Sequence, residues 1–309
     1  MTQDAAARSG IHRVLYGPFG LRAGWRILGY LLLSAGAGVV LASVFAAIGG
    51  PVARASGFPV ILGSSLLAGW GMLWLVDRRR PGALGFALEP AAVKDSVVGT
   101  GIGGAMLAAA VALLAVASMA RWVADEGTVP EYVAALATTF IFYAVAAAAE
   151  EAMFRGYAFQ ALVQGIGVWP AVLGSSALFA LVHANNPNVT PVALANIFLA
   201  GVMLAVAYLR TRSLWFATGV HLGWNWTMGS LLDFSVSGFV RDMPLYTARE
   251  TGPDWITGGS FGPEAGIAAS VAIAAGTVWM WRTRLLRESP RMRELRPLVD
   301  DRMGAEARP

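Results

Sequence analysis

Stretches of about 20 mostly apolar residues recur along this chain, and they constrain its fold more than any other feature. A helix of about 20 apolar residues crosses the roughly 30 Å hydrocarbon layer of a membrane. The candidate spans are Ile27–Ile48, Phe58–Val76, Ser96–Ala120, Tyr132–Ala149, Trp169–Val182, Pro191–Leu209, Leu214–Leu232 and Ala265–Trp281. Only 14% of the 309 residues are charged, whereas a soluble domain typically carries about 25%. The sequence therefore predicts an all-α, polytopic membrane helix bundle of about eight transmembrane helices.

Positively charged residues concentrate on one side of these spans. With the N-terminus in the cytoplasm, 19 of the 23 Lys and Arg residues fall in cytoplasmic segments, as the positive-inside rule requires. We therefore predict a cytoplasmic N-terminal segment (1–26), a transmembrane bundle (27–281) and a basic cytoplasmic tail (282–309). Because topology explains the net charge of +4, no nucleic-acid partner is expected. The Ala- and Arg-rich composition and the short loops favour the inner membrane of a bacterium.

The fourth span poses a problem of depth, because it ends at two carboxylates, Glu150 and Glu151. If its helix stopped there, Glu150 would lie near the inner membrane face. His183, about 21 Å along the fifth span, would lie towards the outer face. We therefore predict that the fourth helix continues to about Gln164, which places Glu150 in mid-membrane, at a depth it can share with His183.

Few residues of this chain can carry chemistry. It has no cysteine and only three histidines, His12, His183 and His221, which excludes thiolate nucleophiles, thiolate metal sites and disulfides. An ionisable group inside the hydrocarbon layer costs at least about 2.5–3.5 kcal/mol on insertion scales, so each one needs a reason. Three clusters of polar residues meet this description.

The first cluster is the run from Glu150 to Arg155. Glu151 and Arg155 are four residues apart, so they share a helix face and can pair. Glu150 is turned by about 100° from that face. One carboxylate is thus expected to be neutralised by the arginine, while the other stays free for a different role.

The other two clusters each carry a histidine. Phe179 and His183 lie one helical turn apart, as do His221 and Asn225. Together with Glu150, these residues make up the inventory of a site that activates water. A carboxylate serves as general base, histidines donate hydrogen bonds or bind a metal, and an amide stabilises an oxyanion.

The three clusters resemble the motifs EExxxR, FxxxH and HxxxN/D of the CPBP family, the CAAX-protease and bacteriocin-processing membrane endopeptidases. They occur here in the family's order, within a core of about residues 132–232. The resemblance implies that Glu150 activates a water and that His183 positions it or binds a metal. His221 and Asn225 would stabilise the oxyanion. Glu151 and Arg155, on the helix of the general base, would support it, and Phe179 accompanies His183.

Several points stay open in the sequence. The resemblance implies a membrane-anchored protein or peptide as substrate in the lipid bilayer, but its identity is not encoded. It leaves open a divalent metal, such as zinc, held by Glu150, His183 and His221. A proton-coupled transporter that uses the same groups, or a non-catalytic membrane scaffold, is the alternative function. A rhomboid-like serine protease would need Ser175 or Ser176 as its nucleophile and is disfavoured, because small residues in membrane helices usually serve packing.

Overall fold

The computed structural model describes residues 10–241 and 243–306, so the ends of the predicted N-terminal segment and tail lie outside it. The helices in the first half are α1 (Gly10–Leu15), α2 (Ala23–Ile48), α3 (Gly50–Arg54), α4 (Gly57–Leu75), α5 (Pro90–Val116) and α6 (Val129–Phe154). The second half contains α7 (Tyr157–Ile166), α8 (Val168–Val182), α9 (Pro191–Thr211), α10 (Leu214–Trp226), α11 (Asp254–Thr257), α12 (Ile267–Arg282), α13 (Pro290–Leu295) and α14 (Val299–Glu306).

The expected membrane bundle is confirmed. Five helical segments are long and apolar enough to cross a membrane: Ala23–Ile48, Gly57–Leu75, Pro90–Val116, Val129–Ile166 and Pro191–Thr211. Two shorter apolar helices, α8 and α12, complete the apolar set among the described residues. The count of eight spans stays a prediction, because α8, α10 and α12 are short for a full crossing.

The fourth predicted span continues past its two carboxylates, but not as one uninterrupted helix. Helix α6 runs through Glu150 and Glu151 to Phe154, and the chain resumes as α7 only at Tyr157. The prediction of a continuous helix to Gln164 was therefore wrong at this junction. The physical reason lies at Gly156, whose ψ of −136° leaves the helical region. A Cβ built there would lie 2.1 Å from the carbonyl oxygen of Ala152.

Helices α5 and α10 approach each other so closely that their backbones touch. A Cβ built on Gly103 would lie 2.0 Å from the carbonyl oxygen of Val220, and one on Gly223 equally close to that of Thr100. Small residues permit this kind of contact between membrane helices. Because α10 carries His221 and Asn225, this contact determines where both side chains lie.

Two short antiparallel hairpins accompany the helices. β1 (Tyr16–Gly17) pairs with β2 (Gly20–Leu21) ahead of α2. β3 (Ala120–Ala124) pairs with β4 (Tyr246–Glu250), with Ala120 opposite Glu250. The second pair joins the α5–α6 connection to the long α10–α12 connection, and it anchors that connection at one end of the bundle.

The C-terminal segment, residues 283–306, folds back onto the opposite end of the bundle. Met292, Leu295, Leu298 and Val299 are buried there. The backbone N–H of Leu298 donates to Oε1 of Gln160 on α7 at 3.0 Å. Helix α7, which directly follows the Arg155–Gly156 junction, is thus held by this segment.

Candidate active site

A cavity of about 560 Å³ opens inside the bundle, and it brings the predicted catalytic residues together. Glu150, His183, His221 and Asn225 all line it. Its walls come from α4, α6, α8, α9, α10, α12 and the connection between α10 and α12. The three motifs lie on α6, α8 and α10, and the other walls add mainly apolar side chains such as Phe58 and Ile61.

Glu150 lines the cavity with a carboxylate oxygen that has no hydrogen-bond partner among the described residues. It lies in the penultimate turn of α6, with 19% of its side chain exposed. Its Oε2 is 3.8 Å from Nε2 of His221 and has no hydrogen-bond partner among the described residues. Because buried carboxylate oxygens are normally satisfied, this atom is suited to bind a water or a substrate group.

Glu151 faces away from the open part of the cavity and is fully buried. Its Oε1 accepts a hydrogen bond from Nη1 of Arg155 at 3.1 Å, so the pair expected from their spacing forms. The same oxygen lies 3.0 Å from Nδ1 of His221. Since a carboxylate can only accept, we assign the proton to Nδ1, which leaves Nε2 towards Glu150. Sequence spacing gave no sign of this second contact.

Arg155 connects the first motif to two other helices. Its Nη2 donates to the carbonyl oxygen of Gly201 on α9 at 3.1 Å. The guanidinium also stacks on the ring of Phe179, 4.5 Å from its centroid, which is a favourable cation–π distance. Phe179 is buried beside His183, with 4.8 Å between their ring centroids. The supporting residues of the first two motifs are therefore in direct contact.

His183 caps the C-terminal end of α8 rather than lying in the middle of a long helix. Its Nδ1 lies 2.7 Å from the carbonyl oxygen of Phe179, one turn earlier. A carbonyl oxygen can only accept, so Nδ1 carries the proton here and Nε2 is left as an acceptor. His183 and Glu150 line the same cavity, as a common depth in the bundle requires.

Asn225 lies one turn after His221, just before α10 ends and a π-helical turn begins. Residues Thr227–Leu231 form a π-helical turn, a feature often found at functional sites. The Asn225 side chain makes no hydrogen bond to other described residues, although it lines the cavity. Its amide is therefore unoccupied by the protein and faces the same space as Glu150.

One carboxyl group of the cavity, that of Glu264, was missed by sequence reasoning. It lies in the short 3₁₀ turn Pro263–Ala265, within the Gly- and Pro-rich α10–α12 connection. Its Oε1 accepts a hydrogen bond from Oγ of Ser237 at 2.6 Å. Desolvation by burial raises the pKa of the Glu264 carboxyl, partly opposed by this hydrogen bond. No helical periodicity surrounds this residue, so its sequence context carried no signal.

The divalent metal that the resemblance left open stays a prediction. No group of three or more His, Asp or Glu in the described ranges is arranged to hold a metal ion. Nδ1 of His183 lies within hydrogen-bonding distance of the carbonyl oxygen of Phe179, and Nδ1 of His221 of the carboxylate of Glu151. Nε2 is therefore the nitrogen that each histidine has left for a further contact.

The serine alternative receives no support from the geometry. Ser175 and Ser176 are both buried in α8, and neither lines the cavity. The hydroxyl of Ser175 donates back to the carbonyl oxygen of Val172 at 3.2 Å. Ser176 instead packs against Gly201, where a Cβ would lie 2.8 Å from that of the serine. Both side chains serve the packing of α8.

Comparison with known proteins agrees with the motifs. Residues 132–227 match the family model described as Rce1-like, type II CAAX prenyl endopeptidase. The matched region contains all three motifs together with α8 and α9. No curated protein matches the chain.

Proposed function

We propose that this chain, a membrane peptidase of the CPBP/CAAX protease family, hydrolyses a peptide bond of a membrane-anchored protein or peptide. In this proposal, Glu150 activates the attacking water. The observation that carries the proposal is the free Oε2 of Glu150, in a cavity that it shares with His183, His221 and Asn225. A general base needs a free lone pair within reach of the water that it deprotonates.

The reaction begins with a water bound between Glu150 and His183. Nε2 of His183 accepts one hydrogen of this water and orients it, because Nδ1 is occupied by the carbonyl of Phe179. Glu150 takes the other proton as the water oxygen attacks the carbonyl carbon of the scissile bond. The proton on Glu150 then passes to the leaving nitrogen as the C–N bond breaks, which releases an amine and a carboxylic acid, and the acid loses its proton to solvent.

Negative charge develops on the carbonyl oxygen while the tetrahedral intermediate exists. Nδ2 of Asn225 donates to this oxygen, and protonated His221 donates from Nε2. Glu151 keeps the imidazole of His221 in place through Nδ1. Donors that are already oriented in a site of low polarity stabilise such charge effectively, since they need not reorganise during the reaction.

The apolar walls of the cavity suit a substrate that arrives from the lipid. Phe58, Phe142 and Phe154 line it beside the polar residues. We propose that the substrate is anchored in the membrane and presents an extended segment to this surface. We also propose that both termini of the enzyme are cytoplasmic and that it resides in a bacterial inner membrane.

The decisive experiment is cleavage of a fluorogenic, lipid-anchored peptide by the purified protein in liposomes. Glu150→Gln preserves size and removes the base, so we expect kcat to fall by about 10²–10⁴-fold. Glu126→Gln, at an exposed position between β3 and α6, is the matched control and should cleave like the wild type. Equal cleavage by the wild type and Glu150→Gln would refute the mechanism. Proton-coupled uptake without cleavage, lost in Glu150→Gln, would favour a transporter.

A further inference from the structure

The mechanism above does not use Glu264, although this residue is a second buried carboxyl of the same cavity. Only 8% of Glu264 is exposed. It comes from the α10–α12 connection, whereas Glu150 comes from α6. A buried carboxyl group is costly unless it is hydrogen-bonded or neutral, so its retention in an apolar bundle calls for a role.

Three elements hold Glu264 in a defined orientation. Nδ2 of Asn196, on α9, donates to the backbone carbonyl oxygens of Glu264 and Gly266 at 2.8 and 3.0 Å. Oγ of Ser270, on α12, donates to Oδ1 of Asn196 at 2.7 Å. Oγ of Ser237 then binds Oε1 of the carboxyl. The Glu264 side chain lines the cavity together with Glu150.

The surroundings of Glu264 favour its neutral form. Desolvation is the largest influence and raises the pKa of the carboxyl, whereas Ser237, His183 and His221 lower it less. The other ionisable groups that line the cavity near it are Tyr143 on α6 and Arg241 in the connection. In the neutral form, Oε1 accepts from Ser237, and the carboxyl group of this cavity-lining residue gains an O–H donor.

We propose that Glu264 is a substrate-binding residue, whose carboxyl O–H donates a hydrogen bond to a backbone carbonyl of the peptide and so places the scissile bond against Glu150. The inference rests on the proposed function, since it assumes that a peptide occupies the cavity. In this proposal, Glu150 carries out cleavage and Glu264 aligns the substrate. Glu264 therefore affects binding of the peptide more than the chemical step.

The two carboxyl groups should respond in opposite ways to the same isosteric change. Glutamine at position 264 keeps a donor for the peptide and an acceptor for Ser237, so Glu264→Gln should retain KM within about threefold. Glu264→Ala removes the donor and should raise KM by about tenfold, the effect of one lost hydrogen bond, with kcat little changed. Glu250→Ala is the matched control, a partly buried carboxylate of β4 that does not line the cavity.

The pH dependence provides a second test. A raised pKa means that Glu264 is neutral at low pH and ionises as the pH rises through that value, so its donor is lost. KM of the wild type should therefore increase with pH, and KM of Glu264→Gln should lack this increase. An equal increase in both proteins, or a KM in Glu264→Gln as high as in Glu264→Ala, would overturn the proposal.

Binding separates this inference from the proposed function. In the inactive Glu150→Gln background, fluorescence polarisation with the labelled lipid-anchored peptide measures Kd without cleavage. Adding Glu264→Ala should weaken binding by about tenfold, whereas adding Glu264→Gln should not. Unchanged Kd in both double variants contradicts a role for Glu264 even if cleavage depends on Glu150. If Glu264→Ala fails to fold, the Glu264→Gln protein still decides through its KM and its pH profile.

Discussion

Charged groups are buried in two regions of this apolar bundle, the cavity and a cluster at the opposite end of α10. We call this cluster the ion-pair layer and define it as Arg26, Asp77, Arg79, Gln164, Arg212, Asp300 and Asp301. The two regions differ in how the hydrogen-bonding needs of their charged groups are met. Each carboxylate of the ion-pair layer accepts from a protein donor: Asp77 from Arg26 at 2.6 Å, Asp301 from Arg79 at 2.5 Å, and Asp300 from Arg212 at 2.6 Å. In the cavity, Glu150 and Asn225 have no such partner among the described residues.

This difference distinguishes a structural use of charge from a chemical one. Buried polar groups in folded proteins are nearly always hydrogen-bonded, so groups left without partners need an explanation. In the ion-pair layer, Arg79 and Gln164 bind Asp301 and Arg212 binds Asp300, so these contacts attach the C-terminal segment to the bundle. The cavity keeps lone pairs and N–H groups available for molecules that are not part of the chain. Substitutions should therefore reduce stability in the layer and activity in the cavity.

The largest effect is expected at the Glu151–Arg155 pair, because it is a buried ion pair and also holds His221 of the cavity. Arg155→Met leaves the fully buried Glu151 without its guanidinium partner, and breaking such a pair costs about 3–5 kcal/mol. His221 also loses its fixed partner geometry, so activity should fall as well. Thermal unfolding in detergent and cleavage assays at a temperature where the variant is folded measure the two effects. Full activity with only a stability loss would place this pair with the ion-pair layer.

A smaller effect is expected from the backbone contact between α5 and α10. Gly103→Ala places a methyl group against the carbonyl of Val220, and overpacking of this kind costs about 1–3 kcal/mol. Because α10 carries His221 and Asn225, kcat should decrease along with the unfolding temperature. Gly101→Ala, on the same helix, has no heavy atom within 4 Å of the new Cβ and serves as control. Equal behaviour of the two variants would show that the helices tolerate separation.

The smallest effect on activity is expected within the layer. Asp301→Ala removes the acceptor of Arg79 and of Gln164, both at 2.5 Å, and should lower the free energy of unfolding by about 1.5–3 kcal/mol. The kcat of the folded protein should stay unchanged. Glu294→Ala, from the exposed Arg291–Glu294 pair, is the control and should change stability by less than about 1 kcal/mol. A loss of kcat in Asp301→Ala would contradict a purely structural role for the ion-pair layer, because it would show that the C-terminal segment affects catalysis.

Much of the candidate site could be predicted because it rests on local spacing. Glu151 with Arg155, Phe179 with His183, and His221 with Asn225 are each four residues apart, so helix geometry alone places each pair on one face. The length of the apolar stretches likewise predicted a membrane bundle. The interruption at Gly156 was not predictable in this way, because other glycines of this chain lie inside helices, whereas the backbone of Gly156 leaves the helical region.

By itself, the sequence determined the membrane environment, the resemblance to a protease family and the residues available for catalysis. Run length, charge content and helical spacing are local properties that need no knowledge of packing. Only the tertiary structure decided that Glu151 holds His221, that Glu264 joins the cavity and that the C-terminal segment secures α7. Each of these contacts joins residues more than 25 positions apart. Such contacts form only where apolar surfaces pack and bring distant polar groups within hydrogen-bonding distance, and no local pattern records that packing.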